Sequence, residues 1–527
     1  MPSLARSAGI TLASAAATCA TVAAAAGVLH PAYTANATTF FDGVNGSMMP
    51  DVAPAPPSVS GFAGGAIALA LSAASWSLIV VASIAALVAT ALATYAAVFV
   101  LPRVVTDDSA RAAVFAAVSD TAAFYASLWH YLARDGSYPA PYFKDCTQAR
   151  VQVHSLALVA RMWSTAHYRS GTFQNDMVKN LRNVAIPGTG LPLSVLCHFK
   201  AVAYLFLLVG YPLAALASAV NLHRGDAGKV AAAYTEQLLT PQDWFSFWRL
   251  NCRLATLHAS LTGDRGYDME DKWKFLQTAE ANGIAVSPTM KMPRIIVKHR
   301  NEEGGLGLHA FKNAAVNDGD WIIQEHLEND AFVASLLPAD APLSTFRVVS
   351  QSRAGLPSKA AGAGKRAGAK EGVTALSCVF RAGREGAVTD HVSVLYDVDM
   401  ATGVIGKGTT NQHWYQLGPG KVLTTPWNNA ESTTVHPDTG REVTGVEVGA
   451  ERMAAMMALV EDAHLKMCPN VPLVGWDVAF TNKGMLLLEG NFSCNFFRGS
   501  FDKEMYFEFV SDYFAHLDQT ARAAEAR

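Results

Sequence analysis

The sequence predicts an α+β domain behind a helical region and apolar N-terminal segments. Three observations predict it. Apolar residues crowd the first hundred positions. Residues 106–260 read as helical. From Asp268 onward, short β-branched runs alternate with helical ones, as in an α+β domain. Composition sets the bounds. Of 527 residues, 51% are apolar and 16% charged, against roughly 25% charged in ordinary soluble domains. With a mean hydropathy of +0.18 this excludes a disordered protein and argues against a wholly soluble one. The net charge of −3 gives no basic field for nucleic acid. The 7 cysteines are scattered and never spaced CxxC, which argues against a disulfide scaffold or a zinc site.

The elements follow in order. Residues 1–29, Ala-rich after Arg6, read as a signal peptide or signal anchor, with a disordered leader as the alternative. Residues 30–60 carry no Lys or Arg and hold the sequons Asn36-Ala-Thr38 and Asn45-Gly-Ser47, so they read as a lumenal linker. Residues 61–101 carry no charge and suffice for one generous membrane span or a tight pair. Arg103, Arg111, Arg134, Lys144 and Arg150 follow, which puts that side in the cytosol by the positive-inside rule. The helical region 102–260 contains an amphipathic stretch, Phe115 to Tyr131, and an apolar segment, 201–220, centred on Gly210-Tyr211-Pro212. A full crossing there would carry the following domain into the lumen. The segment is therefore expected to turn back at the proline as a re-entrant or surface-lying hairpin. A paired crossing within 61–101 followed by a true span is the alternative, and a buried soluble helix is a third reading.

The α+β domain, 261–515, is expected to hold strands at Arg294–Lys298, Trp321–Gln324, Thr345–Ser350, Leu376–Phe380, Val474–Phe480 and Met485–Leu488. Arg353 to Gly372, low in complexity and rich in Gly, Ala and Lys, reads as a disordered surface loop, and 516–527 as a tail.

The chemistry concentrates at the last two strands. Val474–Thr481, the turn Asn482-Lys483-Gly484 and Met485–Glu489 read as a hairpin. Pairing Thr481 with Met485 sets Asp477 opposite Glu489, and Asn491 projects to the same face. Facing carboxylates repel unless a cation lies between them, and hard oxygen ligands without Cys or His suit Mg²⁺ or Mn²⁺. A solvent-facing acidic pair is the plain alternative. Upstream, Lys298 leaves a β-run beside a loop containing Gly304, Gly305 and Gly307, an arrangement that can cradle a polyphosphate but lacks the Walker GK[ST]. Trp321 to Leu327 ends a buried run in Gln324, Glu325 and His326, able to present main-chain groups and a carboxylate to an adenine edge. Asp271 is placed to cap the helix that Lys272 begins. Cys494 reads as a buried structural thiol rather than a nucleophile.

In this order these pieces, with Ser344-Thr345-Phe346-Arg347-Val348-Val349 and the turn His436-Pro437-Asp438-Thr439-Gly440, resemble the ATP-grasp superfamily. The branch most similar is the sugar-transfer associated, or alpha-L-glutamate ligase-related, ATP-grasp. The resemblance spans about Tyr267 to Phe514. It implies two α+β lobes enclosing ATP. Lys272 and Lys298 would bind its phosphates, with the Gly304–Gly307 loop closing over them. Gln324, Glu325 and Leu327 would bind the nucleotide at the adenine hinge. Arg347 and Arg381 would face the γ-phosphate and an acyl-phosphate intermediate. Asp477, Glu489 and Asn491 would hold Mg²⁺. This sequence departs from the pattern at His299, where proline is usual, in a loop poorer in serine, and at Phe492-Ser493-Cys494-Asn495.

The implied activity is ligation: a small-molecule or glycan-linked carboxylate is activated by ATP and attacked by an amine. A kinase-like phosphotransferase and a non-catalytic nucleotide-binding module are the alternatives. ATP is a cytosolic substrate, so a membrane protein of this kind is expected to face its domain to the cytosol. Asn491-Phe492-Ser493 is itself a sequon, which agrees with that side.

Overall fold

The computed structural model describes residues 107–527 except 183, 185–191, 224, 291–293, 299–307, 313–321, 358–371, 391–392, 411–431, 497–498 and 527. The leader, the linker and the 61–101 segment therefore lie outside the described residues, as do Gly304, Gly305, Gly307, Trp321 and the interior of the 353–372 loop. The chain divides into two compact units. One comprises Met1–Phe115, Val220–Ala231 and Ile296–His309; the other comprises Ala116–Ala219, Ala232–Ile295 and Ala310–Arg527.

The helical region holds α1 (Asp108–Leu132), α2 (Thr147–Arg161), α3 (Phe173–Leu181), α4 (Lys200–Leu205), α5 (Tyr211–Leu222), α6 (Ala227–Leu239) and α7 (Trp244–Thr262). After it come α8 (Lys272–Ala281), β1 (Arg294–Lys298), β2 (Leu308–Lys312), α9 (Ala331–Leu336), β3 (Thr345–Ser352), β4 (Val373–Gly383), β5 (Ser393–Val398), β6 (Ile405–Thr410) and β7 (Ser432–Thr433). The chain then runs through α10 (Ala450–Met467), β8 (Leu473–Thr481), β9 (Gly484–Asn491) and α11 (Lys503–Glu525). Short oxygen-bearing side chains start the helices by accepting orphan backbone N–H groups. Asp243 accepts from Ser246, Asp271 from Trp273 and Lys274, Asp330 from Val333, and Asp502 from Met505.

The 201–220 segment is not a hairpin. A π turn, Phe206–Gly210, joins α4 to α5, and the run from Lys200 to Leu222 is continuous. Proline is tolerated because its losses are covered. The Tyr211 N–H reaches back to the Phe206 carbonyl. Pro212 has no N–H to offer the Leu208 carbonyl four residues back, and the Tyr125 hydroxyl of α1 donates to it instead, at 2.7 Å. Asp108–Leu132 and Lys200–Leu222 are both long and apolar enough to cross a membrane.

The domain is α+β. Seven strands form an antiparallel sheet in the order β7-β6-β5-β4-β3-β8-β9, while β1 and β2 form a separate two-stranded sheet. The expected strand at 321–324 is absent over its described residues. Gln324 makes an isolated antiparallel bridge to Thr289, flanked by the Met290 N–H donating to the Ile323 carbonyl at 2.8 Å and the Glu325 N–H donating to the Pro288 carbonyl, and among the described residues this pairing is too short to make a strand. The helix α11 runs on to Glu525, through the positions read as a tail.

Strand alternation splits the large sheet into two chemically different faces. On one face Phe346, Val348, Phe380, Trp476 and Val478 pack with Phe275 and Leu276 of α8 and with Met456 and Val460 of α10. On the other, Val349, Leu376 and Leu473 share a core with α2, α7 and α11 at the β3 C-terminal end. Toward the opposite end of that second face, the same alternation presents Thr345, Arg347, Arg381 and Asp477 instead of apolar groups. The helical region thus packs on the sheet face that carries the charges.

Candidate active site

The charged side chains sit at the floor of a cleft of about 980 Å³. β3 and β8 are in register so that Arg347 lies directly opposite Asp477. Its guanidinium grips that carboxylate at two points, Nε to Oδ1 at 2.5 Å and Nη2 to Oδ2 at 3.1 Å. Arg381, from the next strand, donates through Nη1 to the same Oδ2 at 3.1 Å and pairs through Nη2 with Asp390 at 2.9 Å. The Thr345 hydroxyl also donates to Asp390. Arg347 and Asp477 are buried. Burial alone would raise the Asp477 carboxyl; Arg347 and then Arg381 outweigh it and hold the group below the ordinary carboxylate range. For Asp390 the balance is reversed: burial prevails over Arg381 and its carboxyl is raised.

Gly475 makes room for this arrangement. A Cβ there would lie 2.7 Å from the Cβ of Cys494 and 3.3 Å from Cδ of Arg347. Cys494 is buried, its thiol pushed up to about 12, mainly by burial, and its carbonyl accepts from Asn251 Nδ2 at 3.1 Å.

The hairpin pairs Asp477 with Glu489, but by a different route from the expected register. Thr481 pairs with Gly484, whose φ of +101° suits glycine, and Phe480 with Met485. That register alone would have set Asp477 against Leu488. An irregularity between Asp477 and Val478 leaves Leu488 as the extra residue and brings Glu489 opposite. Glu489 pairs with the exposed Lys272 at 3.1 Å, and Asn491 donates to Glu489 Oε1 at 3.2 Å. Asp477, Glu489, Asn491 and Lys272 all line the cleft.

The expected hinge residues line it as well. Gln324, Glu325 and Leu327 border the cleft. The Glu325 N–H donates to the Pro288 carbonyl at 3.1 Å, and the Glu325 side chain accepts from Lys483, in the hairpin turn, at 2.5 Å. Lys298 is the last residue of β1; its side chain and the glycine loop after it lie outside the described residues.

The donor set can be tested against a divalent cation. Asp477, Glu489 and Asn491 offer oxygen only, which fits Mg²⁺. Glu489 and Asn491 are partly exposed on the cleft wall, whereas both Asp477 oxygens are engaged by guanidinium groups. Among the described residues there is no cluster of three or more His, Cys, Asp or Glu suited to a metal. Glu489 is itself met by Asn491 and Lys272, so a cation held here would take most of its ligands from phosphate and water.

Asp390 escaped the sequence reading. It lies in the turn between β4 and β5, where no periodicity marks it, and only its contact with Arg381 reveals it. Arg169, Lys179, Asn180 and Trp248 of the helical region escaped as well, although they line the same cleft. Compared with protein-family models and with curated proteins, the chain matches none.

Proposed function

We propose that the protein is a membrane-attached, ATP- and Mg²⁺-dependent ligase of ATP-grasp type, which activates a carboxylate as an acyl phosphate for attack by an amine. One observation carries the reading. Two guanidinium groups from neighbouring strands converge on one buried carboxylate, in a cleft that Glu489, Asn491, Lys272 and the Gln324–Leu327 segment also line. Arg347 and Arg381 are held at the cleft floor by Asp477 and Asp390, with their guanidinium groups side by side. Such groups suit charge that builds on a transferring phosphoryl group.

In this reading a substrate carboxylate oxygen attacks the γ-phosphorus as the bond to ADP breaks. The amine then attacks the acyl carbon, phosphate departs, and the amine loses a proton. Arg347 and Arg381 stabilise the phosphoryl oxygens through both steps, and Lys272 neutralises charge at the rim. Gln324, Glu325 and Leu327 hold the base. Asp477, Glu489 and Asn491 would hold Mg²⁺, which when bound supplies Lewis-acid neutralisation of the polyphosphate. The chain does the rest by alignment.

Membrane attachment is supported by the uncharged 61–101 stretch and by the two long apolar helices. The ATP requirement supports a cytosolic site. The test is ADP release by the full-length protein in detergent, with MgATP and mixed carboxylate and amine pools. Phosphate release that depends on the amine is expected. ADP release with a stable phosphorylated product and no amine dependence would make it a phosphotransferase instead.

A further inference from the structure

The cleft does not end at the hairpin. Beyond Glu489 and Asn491 it is walled by Lys179 and Asn180 of α3 and by Trp248 of α7. The wall is fixed to the hairpin by Arg169. That side chain pairs with Glu270 at 2.6 Å and with Asp176 of α3 at 3.6 Å, and donates to the Ser493 hydroxyl at 2.7 Å, two residues past Asn491. Asn180 is held to Asp176 at 2.8 Å. These charges are spent on one another.

Lys179, next along α3, is exposed and makes no ion pair among the described residues. Trp248 is half-buried and backed by the buried ring of Phe245, with centroids 5.5 Å apart at 32°. A supported indole is a platform for a flat face, and an unpaired ammonium recognises an anion.

We propose that this wall selects the acceptor: a carboxylate carried on a ring that lies on Trp248, with a second anionic group that meets Lys179. The inference rests on the ligase reading, and its test separates the two. MgATP affinity of the full-length protein is measured first, and its absence sinks the ligase reading. Binding of four probes is then measured in the presence of Mg²⁺ and a non-hydrolysable ATP analogue. Two carry a phosphate, 4-carboxyphenyl phosphate and glucuronic acid 1-phosphate; two lack it, benzoate and glucuronate. The phosphate-bearing member of at least one pair is expected to bind about tenfold tighter, the size of a charge-assisted hydrogen bond. Whichever pair binds assigns an aromatic or a sugar ring. Lys179→Ala should erase that preference and Lys179→Arg keep it, both with unchanged MgATP affinity and unchanged melting temperature. Trp248→Ala should weaken both members of the pair. Three outcomes overturn the proposal: no saturable binding of any probe at millimolar concentration, equal affinity within both pairs, or a Lys179→Ala variant that loses MgATP affinity as much as probe affinity.

Discussion

Two arginine–aspartate pairs in this domain share one geometry and differ in everything around them. Arg384, in the turn after β4, grips Asp438 of the His436–Gly440 turn by Nε and Nη2, and the Glu385 N–H donates to the same carboxylate. That pair fastens one turn to another. Arg347 grips Asp477 in the same fashion but inside the sheet, with a second guanidinium on the same oxygen. A buried ion pair is seldom a gain over apolar packing. The sheet's opposite face, built from alternate residues of the same strands, shows the apolar solution was open here. The difference teaches that the rim pair is a clasp between two turns, whereas the floor pair is one part of a buried cluster of two arginines and two aspartates, Arg347, Arg381, Asp477 and Asp390, that lines a cleft.

That contrast can be broken in order of effect. Asp477→Ala takes from the buried Arg347 the carboxylate it grips at two points, and a loss of about 3–5 kcal/mol is expected in denaturant unfolding. An unchanged midpoint would mean that water already reaches the pair. Asp438→Ala removes three accepted bonds at a turn that is only partly covered, and about 1–2 kcal/mol is expected by the same assay.

Acid should act through both carboxylates. Asp438 is held down to about 2, first by its bond to Arg384, and Asp477 is also lowered. A depressed carboxylate stabilises the fold above its unfolded value near ~4 and loses that contribution as pH falls through its folded value. Unfolding curves of the wild type and of Asp438→Asn should therefore differ most above pH ~4 and converge toward pH ~2. A constant gap across that range would contradict the assignment. Lys272→Ala, at an exposed pair, should cost less than about 1 kcal/mol of stability and appear in ATP affinity instead.

Four strands of the large sheet were legible as β-branched runs between polar turns: Thr345–Ser350, Leu376–Phe380 and the two arms of the last hairpin, each within a longer observed strand; β5, β6 and β7 were not read at all. The facing of Asp477 and Glu489 was legible too, although the turn and the bulge at Leu488 each shift the count by one and cancel. Bulges depend on local twist and leave no mark in period-two alternation. Proline misled at 212 because its effect was settled by a distant hydroxyl, Tyr125, and not by its neighbours. Isoleucines misled at 322–323 because an apolar run does not disclose how far its pairing extends, and the bridge to Thr289 is short. The helical wall of the cleft was illegible because Arg169 meets Ser493, and Lys179 the cleft, only through tertiary packing.

The most direct test of the central claim is a calorimetric titration of ATP into the full-length protein, with and without Mg²⁺, for the wild type and for Glu489→Gln. Glu489 is partly exposed and glutamine keeps its size and a side-chain oxygen, so the variant should fold as the wild type does, and a matched melting curve checks it. Saturable, Mg²⁺-dependent ATP binding is expected in the wild type, with the Mg²⁺ dependence lost and affinity reduced at least about tenfold in Glu489→Gln. Binding that ignores both Mg²⁺ and the substitution, or no binding by the wild type, would contradict the assignment of this cleft to ATP.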